Sequence, residues 1–66
     1  MEIKVNGERR PLPAETSVAE LLQALGYQPA FIAVAVNRTC VKRSDYAATL
    51  VGDKDEIEIL SPMAGG

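Results

Sequence analysis

The chain has 66 residues, with 7 Lys and Arg against 9 Asp and Glu for a formal net charge of −2, and 47% of it is hydrophobic. A chain of this size makes one domain and buries only about 60% of its unfolded surface, so the expected core is one sheet and little else. Scattered basic residues give no support for nucleic-acid or anionic-membrane binding, the lack of histidine removes zinc-type sites and His-activated nucleophiles, and a single cysteine, Cys40, excludes an intramolecular disulfide framework.

A lone cysteine fits a reducing compartment. No signal peptide is visible, and the longest apolar run, Pro29 to Val36, is far short of the roughly 20 residues a membrane span needs. The expectation is a cytoplasmic protein, monomeric when free, with no membrane partner.

In chain order, Met1, Ile3 and Val5 alternate with Glu2 and Lys4, the period of a strand with one buried face. Asn6-Gly7 accommodates the positive φ values of a type I′ turn and so predicts a tight hairpin. The returning segment, Glu8 to Pro13, carries Arg9, Arg10 and two prolines. Prolines cannot donate to a central ladder, so this strand belongs at an edge.

Ser17-Val18-Ala19-Glu20 matches a capping box, with the Ser17 hydroxyl accepting from the Glu20 N–H and the Glu20 side chain reaching back to the Ser17 N–H. Val18, Leu21, Leu22 and Leu25 then form one helical stripe, and Gly26 suits the left-handed residue that ends it. Phe31 to Val36 is apolar throughout and reads as a strand covered on much of both faces. Asn37 to Thr39 reads as a turn and Cys40 to Arg43 as a short edge strand. Ser44 to Thr49 reads as a short helical turn, with Tyr46 and Leu50 plugging the space under the sheet. Gly52-Asp53-Lys54-Asp55 has turn composition. The closing strand, Glu56 to Leu60, alternates, with Ile57 and Ile59 toward the helix and Glu56, Glu58 and Leu60 facing the other way.

Strand, strand, helix and three further strands predict an α+β fold. Strands one and five can lie side by side and parallel only through a packed crossover. This is the β-grasp (ubiquitin-like) arrangement: a five-stranded mixed sheet with one main helix on one face. Residues 1–61 form the domain, and 62–66 form a flexible tail. In the tail, Pro62 has a fixed φ and no N–H, so the ladder should stop there. Met63-Ala64-Gly65-Gly66 follows. Without side chains, Gly65 and Gly66 can enter narrow channels and leave a carboxylate open to close approach; the plain alternative is an ordinary loose terminus.

From Val5-Asn6-Gly7-Glu8 through Ser17-Val18-Ala19-Glu20-Leu21-Leu22, Ala33-Val34-Ala35-Val36-Asn37 and Val41-Lys42-Arg43 to Gly65-Gly66, the chain resembles the ThiS family, the ubiquitin-like sulfur carriers of thiamine biosynthesis. Each motif alone is weak, but their order, the length and the final Gly-Gly together are specific. The resemblance implies a carrier that is not itself an enzyme. In the family mechanism the Gly66 carboxylate is adenylated by a ThiF-like enzyme, and sulfur from a desulfurase pathway converts it to a thiocarboxylate. That group then feeds the thiazole ring at a ThiG-like thiazole synthase. Gly65 and Ala64 would give the tail access, and Leu60, Glu58 and Met63 would contact partners. The chain contains no phosphate-cradling motif, so ATP is expected to be bound by the partner and no cofactor by this chain.

Three places depart from the family pattern. Val41-Lys42-Arg43 stands for Val-Pro-Arg, Asn37-Arg38 for Asn-Gly, and Asp53-Lys54-Asp55 for Asp-Gly-Asp, with Gly52 available to shift the last turn. Cys40 reads either as a sulfur relay or as a small strand residue. Lys42 and Arg43 read as docking contacts or exposed edge charge, and Asp53, Asp55 and Glu56 as a cation site or a solvated turn. Functionally, a molybdopterin synthase small subunit and a non-covalent β-grasp interaction module remain the alternatives.

Overall fold

In a computed structural model that describes residues 1–61, the alternation of Ile3 and Val5 with charged neighbours produces β1 (Glu2–Val5). Asn6 and Gly7 take φ values of 52° and 84°, and the chain returns as β2 (Glu8–Pro11). Two positive φ values in a two-residue loop match the right-handed twist of the flanking strands. β2 lies at the sheet edge, as Pro11 and its two arginines favour.

A two-residue strand, β3 (Thr16–Ser17), leads into α1 (Val18–Leu25). Ser17 Oγ accepts from the Glu20 N–H at 3.1 Å. The return half of the box differs from expectation: the Glu20 carboxylate accepts from the Ser17 hydroxyl at 3.2 Å instead of from the Ser17 N–H. The next two free donors of the helix start are taken up tertiarily, Val18 N–H by the Thr49 carbonyl at 2.8 Å and Ala19 N–H by the Tyr46 carbonyl at 3.0 Å. At the other end, Gly26 sits at φ 84°, its N–H donating to Gln23, while Tyr27 N–H donates to Leu22. That pair of bonds is a Schellman ending. Val18, Leu21 and Leu22 are buried and Leu25 half-buried, so the predicted stripe faces the sheet and thins toward its C-terminal end.

The middle of the chain differs most from its reading. The strand expected over Phe31 to Val36 begins only at Ala33: Pro29–Phe31 is a 3-10 turn, Phe31 is exposed, and β4 (Ala33–Val36) buries Val34 with Ala33 exposed. Its small alanines hid a one-sided strand behind an unbroken apolar run. β5 (Thr39–Val41) starts earlier and ends sooner than Cys40 to Arg43. Lys42 and Arg43 therefore lead into a 3-10 turn over Arg43–Asp45 and are not edge-strand charges.

Tyr46 is buried as a plug. Leu50 is not; it is 59% exposed, and Val51, fully buried, fills the space instead. The reason is β6 (Leu50–Val51), which pairs with β3 in a second, two-stranded sheet, Thr16 opposite Val51 and Ser17 opposite Leu50. The period-two rule then lets only one of the two adjacent residues point inward. Val51→Ala is expected to lower the unfolding free energy by about 2 kcal/mol through lost burial and a residual cavity, and Leu50→Ala by less than about 0.5 kcal/mol. Urea titrations of both variants, compared at constant slope, check the assignment.

β7 (Glu56–Leu60) closes the fold at the centre of the five-stranded sheet, in the order β2-β1-β7-β4-β5. It runs parallel to β1 and antiparallel to β4. The turn before it solves its missing glycine directly: Lys54 itself takes φ 69°, as does Arg38 in the β4–β5 hairpin. Gly52, proposed to shift the turn, does not have a positive φ. Ile3, Val5, Val34, Ile57 and Ile59 face Val18, Leu21 and Leu22 of α1 in one core. Among the described residues no helix is long and apolar enough to cross a membrane.

Candidate functional site

The helix packs on one face of the sheet, and among the described residues the strand positions that alternate with the core residues of β1 and β7 are exposed on the opposite, open face. Cross-strand partners share a face, so the registers assign that face residue by residue. Lys4 lies opposite Arg9 and Glu56, and Glu2 opposite Pro11. Farther along, Glu58 lies opposite Ala35, Ala35 opposite Cys40, and Leu60 opposite Ala33. The face is therefore divided. β2, β1 and the start of β7 carry charge; β4, β5 and the end of β7 form a shallow apolar patch.

Leu60 is the prominent member of that patch, 65% exposed beside alanines that cannot shield it. The patch forms a depression of about 170 Å³, lined by Ala33, Ala35, Cys40 and Leu60, with Arg38 and Glu58 as charged rim. The expected opposite parity of Leu60 and Glu58 to Ile57 and Ile59 is what the structure shows. Glu2 and Arg9, 4.0 Å apart in the charged half, are 60% and 74% exposed, so their attraction contributes little to stability.

Cys40 is a free thiol on the exposed patch. The charged turn before β7 has a local task. Asp53 Oδ1 accepts from the Glu2 N–H at 2.9 Å, and Asp55 accepts from the Gly52 N–H at 2.9 Å and from Asn37 Nδ2 at 3.0 Å. These carboxylates tie the turn to its neighbours, and among the described residues no cluster of three or more metal-ligand side chains occurs.

Two asparagines that the sequence marks only as turn formers hold β7 from both flanks. Asn37, at φ 50°, accepts from the Glu56 N–H through Oδ1 at 3.0 Å and donates its own N–H to the Glu56 carbonyl at 2.8 Å. Asn6 binds Ile59, near the other end of the strand. The signal was present: an asparagine at a positive-φ position adds a side-chain amide to a turn that glycine alone could make.

Of the residues predicted to carry function, the structure places Glu58 and Leu60 together on the open face. Met63, Ala64, Gly65 and Gly66, with the predicted 62–66 tail, lie outside the described residues. β7 leads directly into them from the apolar patch.

A family model described as the ThiS family matches residues 3–66. Over the full lengths of both chains, the sequence is 35% identical to the sulfur carrier protein ThiS of Escherichia coli strain K12. It is also 36% identical to a stretch of a thiazole synthase from Magnetococcus marinus, where it spans only 20% of that protein's length. The crystal structure of a thiamine biosynthesis protein (ThiS) from Geobacter metallireducens superposes with a TM-score of 0.87, at 35% identity and full coverage of both chains.

Proposed function

Because the chain belongs to the ThiS family, we propose that it is a sulfur carrier of thiamine biosynthesis, a co-substrate rather than an enzyme, with its chemistry at Gly66. The observation that carries this reading is the family match, which spans residues 3–66 and so takes in both the β-grasp domain and the terminal Gly65 and Gly66. The open face supports it: an apolar patch at the end of β7 would let a partner hold the domain next to the segment it processes.

The chemistry follows from the carboxylate. Ionised at neutral pH, it is a poor acyl donor. One of its oxygens attacks the α-phosphorus of ATP held in the adenylating enzyme, forming a new P–O bond as pyrophosphate leaves. A sulfide-equivalent nucleophile, supplied as sulfide or as a persulfide with a thiol reductant, then attacks the acyl carbon and AMP departs. Gly66 is left with one oxygen replaced by sulfur, a soft nucleophile for thiazole formation. A reducing, cytoplasmic setting would keep both this group and Cys40 from oxidation.

Partners follow from the same steps: an adenylating enzyme, a sulfur-donating desulfurase pathway and a thiazole synthase. The Magnetococcus marinus thiazole synthase contains a stretch similar to this chain, and joining two proteins in one chain is a direct route to high effective concentration. That, with the ThiS relative from Escherichia coli, favours thiamine over molybdopterin synthesis. The test is intact-mass spectrometry of the chain after incubation with the adenylating enzyme, ATP and sulfide. The expected result is a gain of about 16 Da, one sulfur for one oxygen, localised to the terminal peptide. A modification on Cys40 instead would overturn the reading.

A further inference from the structure

The chain holds two asparagines, and each opens a two-residue hairpin turn at positive φ: Asn6 at 52°, before Gly7, and Asn37 at 50°, before Arg38. Both carboxamides are tied down. Asn6 Oδ1 accepts from the Ile59 N–H at 2.7 Å and Nδ2 donates to the Ile59 carbonyl at 3.2 Å. A carboxamide offers the same donor and acceptor as a peptide unit, so this clamp adds a rung beyond the bond from the Asn6 N–H to the Ile57 carbonyl. Asn37 Oδ1 accepts from the Glu56 N–H and Nδ2 donates to Asp55 Oδ1, both at 3.0 Å. The two turns differ in the residue that follows. Arg38 carries a long side chain beside its own backbone nitrogen. Gly7 carries none, and the space a Cβ would fill there has nothing within 4 Å. Asn6 and Gly7 are both exposed to water.

We propose that Asn6 is a modification site: its carboxamide is lost by spontaneous cyclisation at the Asn6-Gly7 bond, and the clamp on Ile59 governs the rate. The Gly7 backbone nitrogen attacks Asn6 Cγ. A new C–N bond closes a five-membered succinimide, the bond from Cγ to Nδ2 breaks, and ammonia leaves with the proton that the Gly7 N–H gives up. Water then opens either ring carbonyl, leaving aspartate or an isoaspartate whose backbone runs through Cβ and Cγ. No further reactant is needed, and the step is independent of the sulfur-carrier reading. The leaving nitrogen and Oδ1 are both bound to Ile59, so Cγ turns toward Gly7 only when both bonds open. Two hydrogen bonds of ordinary net strength make that opening about tenfold to hundredfold unfavourable. Once converted, the clamp is not rebuilt. Aspartate sets a carboxylate oxygen against the Ile59 carbonyl in place of a donor. Isoaspartate adds a carbon to a two-residue turn whose length fixes Val5 opposite Glu8.

The test holds the full chain at mildly alkaline pH, with and without denaturing urea, and follows by mass spectrometry the peptide 5–9 that trypsin releases after Lys4 and Arg9. In urea this peptide should gain the mass difference between an amide and an acid, in two chromatographically distinct products, while Asn37 stays unchanged over the same time. No conversion in urea overturns the site. In the native chain the conversion should run about tenfold to hundredfold slower, the cost of opening the clamp alone. A native rate equal to that in urea overturns control by the clamp. So does suppression beyond about a thousandfold, which would mean that only global unfolding admits the reaction. Arg38→Gly gives an independent gain: glycine suits φ 69°, so the variant should fold, and its Asn37 should convert in urea at a rate comparable to Asn6. An inert Asn37 there overturns the role given to the following residue. The converted parent chain, separated by its added negative charge, should exchange the Ile59 amide with deuterium about tenfold faster. Unchanged exchange overturns the loss of the clamp.

Discussion

Deleting Gly66 is expected to abolish ATP-dependent adenylation of a chain that still folds. The deletion leaves Gly65 with a carboxylate, so the functional group is not lost; it is moved back by one residue, about 3.5 Å of extended chain. In-line attack on phosphorus requires the reacting atoms to come within about 3.5 Å in good alignment, and a shift of about 1 Å already costs on the order of a hundredfold. The loss should therefore exceed a hundredfold. Appending one residue after Gly66 should be equally severe for a different reason, because the ionised carboxylate there becomes a neutral amide. Gly65→Val should impair turnover as well, since a β-branched side chain widens and stiffens the segment. Circular dichroism should be unchanged in all three, because the core is built from residues between Ile3 and Ile59. Pyrophosphate release and intact mass read the outcome. Full activity of the Gly66 deletion would overturn the assignment of the chemistry to Gly66.

Leu60→Asp should weaken association with the adenylating enzyme by about 10- to 100-fold. Covering an exposed leucine contributes on the order of 1.5 to 3 kcal/mol, each 1.4 kcal/mol being a tenfold change. The aspartate would also set a charge against a surface that fits Ala33, Ala35 and Cys40. With Leu60 65% exposed in the free protein, the fold should lose less than about 1 kcal/mol, the span of strand preference itself. Titration calorimetry with the adenylating enzyme, paired with a urea melt, separates the two effects. Unchanged affinity would remove the apolar half of the open face as the docking surface, and would leave the charged half of Lys4, Arg9 and Glu56 as the place to look.

Much of this protein is written in local sequence. The alternation around Ile3 and Val5 and again around Ile57 and Ile59, the Asn6-Gly7 turn, the Ser17 cap and the Gly26 stop each depend on residues within a few positions of one another. Short-range sterics and burial parity therefore determine them without reference to the rest of the chain. The same parity put Glu58 and Leu60 on the open face. The family resemblance adds the role proposed for Gly65 and Gly66, which no periodicity carries.

What only the tertiary structure decided involves partners far apart in sequence. β3 and β6 are two residues each, too short to show a period, and exist because each completes the other. Their pairing gives Val51 the buried place expected of Leu50. The run before Val36 looked buried on both faces because alanine is apolar wherever it lies; only the uncovered sheet face shows that Ala33 and Ala35 are small residues beside Leu60 rather than core. Arg38 and Lys54 hold positive φ values that the sequence argues against, in turns fixed by strands already paired on either side. The clamp of Asn6 on Ile59 joins positions 53 residues apart. A side-chain amide can complete a ladder only where the fold has brought a strand alongside it, and that placement belongs to the whole sheet.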